Sequence, residues 1–182
     1  MSTAVTSVPT GTWNVDAVHS VVEFSVKHMG ISTVKGSFTD FAGSLTIGED
    51  GKASASGTVE VASVTTREGQ RDEHLKSPDF FDAASFPQIT FQSTEITSVD
   101  DESFKIVGDL TIRGTTKSVT LDATLEGADT DPQGNERVGL SLTGQINRQE
   151  FGMKFSAALG SGNLVVSDKV KLSLDISAVK AA

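Results

Sequence analysis

A chain of 182 residues without cysteine is long enough to bury a core unaided, and the missing thiols exclude disulfides and zinc–thiolate sites. A formal net charge of −9 repels phosphate backbones and anionic membrane faces, so nucleic acid is not an expected partner. No stretch approaches the roughly 20 apolar residues of a membrane-spanning helix, so no integral membrane segment is expected.

Residues 1–10 (MSTAVTSVPT) show neither a basic nor an apolar block of the secretory kind. They read as an N-terminal tail before a single domain over 11–178, with a cytoplasmic location expected. The apolar phase then shifts between Val15 and Val22, and Asp16 and His19 are expected to hold a bend there. From Val22 the pattern alternates with a period of two: Val22, Phe24 and Val26; Phe41, Gly43, Leu45 and Ile47; Ala55, Gly57, Val59 and Val61.

One segment breaks the alternation. Thr65-Thr-Arg-Glu68 fits a capping box and predicts a short helix from about Thr66 to Lys76, stopped by Ser77-Pro78. On such a helix Arg67, Arg71, His74 and Leu75 share one side. Phe80, Phe81 and Phe86 flank it, which marks the insert as a lid or a mouth.

Alternation resumes with Ile89 and Phe91. It runs on through Phe104, Ile106, Gly108, Leu110 and Ile112, then Val119, Leu121, Ala123 and Leu125. Val138, Leu140, Leu142, Gly144 and Ile146 follow, and Val170, Leu172, Leu174 and Ile176 come last. Turns are expected at 48–51, 100–103, 113–116 and 129–134. Each strand has one dry and one wet face, as in antiparallel sheets. About eight such strands with so little helix must either close on themselves or stack as a sandwich. Glycines at 43, 57, 108 and 144 on the dry faces favour closure, because a strand glycine marks a bend or a close approach. The fold class expected is therefore all-β, an eight-stranded antiparallel barrel with one short helix-and-loop insert near the mouth. A barrel of that size holds one small ligand.

Other chemistries fit less well. His19, His28 and His74 are not spaced as ligand pairs, and no closed metal site or cofactor is expected. The acidic run at 129–134 lacks an acid where a calcium loop would need its twelfth residue, and it reads as a hairpin turn. No nucleophile-elbow motif is present, and the nearness of Asp16, His19 and Ser20 in sequence does not make a triad. A small hydrolase on the same barrel and a broad scavenger of hydrophobic toxins are the alternatives to a carrier that does no catalysis.

Several blocks are similar to the YceI-like family of lipocalin-like lipid-binding proteins. They are Trp13-x-x-Asp16-x-x-His19-Ser20 with Phe24, His28 and Gly36-x-Phe38; then Arg71-Asp72-x-His74-Leu75-x-Ser77-x-Asp79-Phe80-Phe81-Asp82 with Phe86-Pro87; then Gly108-x-Leu110, Arg148-x-x-Phe151-Gly152 and Ser167-Asp168-x-Val170. The resemblance implies an elongated barrel with an internal tunnel for a long isoprenoid-type lipid (quinone, polyprenol or polyprenyl phosphate), and a homodimer. The expected tunnel wall is Phe24, Phe38, Phe41, Leu75, Phe80, Phe81, Phe91, Phe151 and Phe155. The expected head-group residues are Arg67, Arg71, His74 and His28.

Overall fold

The computed structural model describes residues 5–157, 160 and 165–182. Its strands are β1 (Gly11–Val15), β2 (Val21–His28), β3 (Ser32–Phe38), β4 (Phe41–Ile47), β5 (Ala53–Glu60), β6 (Val64–Thr65), β7 (Gln88–Ser98), β8 (Ser103–Ile112), β9 (Thr115–Thr130), β10 (Glu136–Asn147) and β11 (Val166–Lys180). The helix α1 spans Gly69–Lys76. No helix among the described residues is long and apolar enough to cross a membrane.

The strands run in the order β1-β4-β5-β7-β8-β9-β10-β11, and β11 returns to β1 to close the ring. Every pairing is antiparallel, and the closing register is Trp13↔Lys180 to Val15↔Ala178. Closure decides between the two architectures that the alternation leaves open, since a sandwich keeps free edges. Three of the eight staves are broken lines. β2 continues β1 along β11, β3 continues into β4, and β5 bends into β6, which lies against β3 through Phe38↔Val64.

The first break is built as its residues predict. The Asp16 carboxylate accepts from the Val18 amide at 3.0 Å and sits 2.7 Å from His19 Nδ1, shaping a one-turn 3-10 helix at Ala17–His19. Arg137 of β10 donates to the same carboxylate at 2.9 Å and to Asp131 at 2.7 Å. Asp131 in turn accepts from the amides of Gln133 and Asn135, so the 129–134 run is a hairpin turn. The β8–β9 turn has both central residues at positive φ, Arg113 at 52° and Gly114 at 72°. That is the type I′ geometry whose twist suits a two-residue hairpin.

Inward side chains form two apolar clusters, one at each end. The floor cluster holds Trp13, Ile47, Ile96, Phe104, Ile106 and Val138. The roof cluster holds Phe38, Val61, Val64, Phe81, Leu110, Ile112 and Phe151. Phe91 and Leu172 pack against both and stand at the waist. Val5 and Val8 belong to the floor cluster. That part of the segment expected as a tail is packed in; residues 1–4 lie outside the described residues.

The insert between β6 and β7 roofs the other end, and here the sequence expectation needs correction. α1 starts at Gly69 rather than near Thr66, and its N-cap is Glu68, whose carboxylate accepts from the amides of Gln70 and Arg71. Thr65 is paired with Ser37 in β6, and Thr66 is held by Asp72 through its amide (2.7 Å) and hydroxyl (2.6 Å). Arg67 lies outside the helix at φ 67°, so it does not share a helical face with Arg71 and His74. The physical reason is competition: a longer carboxylate arm at Glu68 reaches two amides where the Thr65 hydroxyl offers one bond.

Candidate ligand tunnel

Alternation puts one apolar side chain from every second position into the lumen, and the barrel is too wide for those side chains to fill it. The result is a cavity of about 300 Å³, at the lower end of the usual range for small-molecule sites. It is lined from Val5, Val8, Trp13 and Ala178 at the floor to Leu75, Phe80, Phe81, Met153 and Val166 at the roof. The polar lining is sparse: Glu23, Ser44, Ser56, Thr58 and Arg148. Such a wall offers area for an apolar chain and few groups that fix its orientation.

Glycines widen the lumen in two ways. Gly36 and Gly108 leave room for the rings of Phe24 and Phe91, which lie so close over them that a β-carbon at either position would clash. These rings are therefore flattened along the wall. Gly43 and Gly57 face one another across β4 and β5, and both line the cavity as bare backbone. The reading of dry-face glycines as places of close approach thus holds at Gly43, where a β-carbon would meet the Ser56 carbonyl oxygen at 2.9 Å, at Gly108, under Phe91, and at Gly144, where it would meet Leu121; at Gly57 the contact would be an ordinary one.

Of the nine expected wall residues, Phe24, Phe38, Phe41, Leu75, Phe80, Phe81 and Phe91 line the cavity. The other two are not on its lining. Phe151 is buried in the roof cluster and borders a polar groove on the outside of the barrel, beside Lys117, Glu150 and Lys169. Phe155 is half-buried above the roof, in ring contact with His74 and Phe80 at 5.0 and 5.4 Å. Alternation cannot describe these two, because both follow the last residue of β10 and lie outside any strand.

None of the four expected head-group residues is on the lining either. All belong to the roof end. Arg71 turns back on its own loop, donating from Nε to the Thr66 hydroxyl at 2.7 Å and from Nη2 to the Thr66 carbonyl at 2.9 Å. His74 Nε2 lies 2.9 Å from Asp79 Oδ2, with its ring edge-on to Phe80 and to Phe155. Arg67 and His28 are exposed.

The cation that does reach the lumen is Arg148, which the sequence places in a family block without giving it a role. Its side chain is 3% exposed. It donates to the carbonyls of Ser167 (2.9 Å), Met153 (2.7 Å) and Val166 (3.2 Å), tying the turn after β10 to the start of β11. Burial pushes its pKa down, and Asp168 at 3.3 Å offsets part of that. Its guanidinium lies 6.0 Å from the centre of the Phe80 ring. A signal for it did exist, since an arginine two residues after Ile146, the last apolar position of the run, must find acceptors or stay in water.

Asp16, His19 and Ser20 make no nucleophilic arrangement: the Ser20 hydroxyl donates to the Ser177 carbonyl at 3.3 Å. Among the described residues no three metal-ligating side chains gather.

The model of the YceI-like domain matches residues 13–178. The chain belongs to the YceI-like family. Among its curated relatives, a UPF0312 protein of Yersinia enterocolitica is 38% identical over 165 residues, covering 90% of this chain and 82% of the relative. Protein YceI of Escherichia coli is 41% identical over 138 residues, 75% of this chain and 72% of the relative. The crystal structure of a YceI protein from Campylobacter jejuni superposes with a TM-score of 0.72 at 34% identity, covering 86% of this chain and 90% of that one. A polyisoprenoid-binding domain from Saccharophagus degradans superposes with a TM-score of 0.71, covering 93% and 98%; at 13% identity it shows the YceI-like fold alone.

Proposed function

We propose that this YceI-like protein binds and carries a long isoprenoid-type lipid (quinone, polyprenol or polyprenyl phosphate), with its tail in the barrel and its head at the roof, and performs no chemistry on it. The observation that carries the reading is the dry lumen running from Trp13 to Arg148 inside a closed barrel. Burying a methylene gains about 0.8 kcal/mol, and an apolar wall rewards length before it rewards any particular group. The polyisoprenoid-binding domain of the same fold supports the choice of tail. Orientation follows from the asymmetry of the ends: the floor is valine, tryptophan and isoleucine, while the roof carries Arg148 in the lumen and Arg67, Arg71, His74 and His28 around it.

Solvent extraction of the purified protein followed by mass spectrometry tests the reading. One discrete long-chain isoprenoid is expected. A mixed set of unrelated apolar molecules makes the protein a scavenger, and an empty extract with no uptake of added polyprenol refutes the carrier.

The head-group end is tested at Arg67, which is exposed at the roof and can be removed without touching the Thr66 contacts of Arg71. Arg67→Ala should weaken binding of a polyprenyl phosphate about tenfold at low salt, the order expected of a charge-assisted hydrogen bond. High salt should shrink the loss, and a quinone of matched length should be little affected. Equal affinity of wild type and variant for both ligands removes Arg67 from the site.

A further inference from the structure

The far end of the tunnel is closed by a length of chain that is not part of the barrel. Val5 and Val8 are only 4% and 3% exposed, and both line the cavity beside Trp13. The family match begins at residue 13, so this segment lies outside it. Two hydrogen bonds fix where it crosses. The Val5 amide donates to the Gly51 carbonyl in the β4–β5 turn at 2.9 Å, and the Trp13 indole donates to the Pro9 carbonyl at 2.9 Å. Between those anchors the segment spans the barrel end and points two branched side chains inward.

We infer that residues 5–8 are a stopper that sets the depth of the tunnel, and so the tail length this protein accepts; this rests on the lipid-carrier reading above. A floor made of strands could change depth only by rebuilding the barrel. A floor made of a crossing segment changes depth with one or two side chains, while the sheet register stays as it is. Tail carbons and the two valines compete for the same apolar space beside Trp13, and every methyl group added there is space lost to the tail.

The test compares wild type, a deletion of residues 1–8, and Val8→Phe against a graded series of polyprenyl alcohols (farnesol, geranylgeraniol and longer). The deletion keeps Pro9 and its bond to Trp13. It should move the length optimum toward longer alcohols, raising the long-to-short affinity ratio by about tenfold, the worth of one further five-carbon unit at usual ligand efficiencies. Val8→Phe should move the optimum the other way. Thermal melts establish that each variant is folded, and if the deletion fails to fold, Val8→Phe decides alone. An unchanged length optimum in folded variants overturns the stopper while leaving the carrier intact. A wild type that takes up none of the alcohols overturns the carrier, and the stopper with it.

Discussion

Two glycine pairs show how single residues set the bore of this barrel. Phe24 over Gly36 and Phe91 over Gly108 turn large rings into wall, while Gly43 opposite Gly57 leaves backbone where other strands place a side chain. A β-carbon at Gly57 would meet only the Ala42 carbonyl oxygen, at an ordinary 3.4 Å. Gly57→Val should therefore fit the strand and raise stability by about 0.5–1 kcal/mol, because glycine is a poor strand residue. Its methyl groups would stand in the lumen, so uptake of long polyprenols should fall. A melt together with a ligand titration reads both, and a stabilised variant with unchanged uptake would place the ligand elsewhere. A second residue-scale prediction concerns acid. Hydrogen bonds from His19 and Arg137 hold the Asp16 pKa down at about 2, and Arg137 with the Asn135 amide holds Asp131 at about 2, from an ordinary 3.8. Lowered carboxylate pKa values stabilise the fold fully above about pH 4, and the contribution drains away as pH falls toward 2. Arg137→Met should thus be less stable than wild type in urea at pH 6, and the gap should close near pH 2. A gap that stays constant would mean the three side chains are not coupled to folding.

Elements differ in how plainly the sequence announces them. The strands are legible because their inner face is set by burial, which repeats every two residues: Val22, Phe24 and Val26 on β2 and Val170, Leu172 and Leu174 on β11 all line the cavity. The bend at Asp16 is legible because a phase shift must be absorbed somewhere. α1 is legible in existence but not in its start, because several side chains compete for the same amides and Glu68 wins over Thr65. The helix has no fully buried residue of its own and meets the roof cluster through the partly buried Leu75, so polar contacts share in holding it in place. Asp72, which holds Thr66, is the centre of those contacts. Asp72→Ala should cost about 1–3 kcal/mol, the price of leaving the buried Thr66 donors unmet. Amide exchange should quicken over 66–76 and leave β8 and β9 unchanged. Uniform acceleration along the chain would show that the roof is not an independent unit. The floor was not legible. Val5 and Val8 are two apolar residues with no repeat around them, and only the closed barrel end gives them a place to go.

At the scale of the whole molecule, what the residue pattern could not settle was closure, since a sandwich has the same alternation. Pairing of β1 with β11 settles it, and the same pairing has a consequence in time. The partners Trp13 and Lys180 stand near opposite ends of the sequence, so β1 waits for β11 to be synthesised. At about 5–20 residues per second that wait is on the order of ten seconds, during which the apolar inner face is open to water. Contacts so distant along the chain also form slowly once both strands exist. A lipid tail laid against the open sheet would be enclosed as the last strand docks, whereas a tail arriving later must pass the roof. Protein refolded in the presence of polyprenol should therefore be loaded when it first becomes native, while protein refolded alone should load afterwards in a separate, slower phase. Stopped-flow fluorescence of Trp13, which lines the cavity at the floor, would separate the two routes.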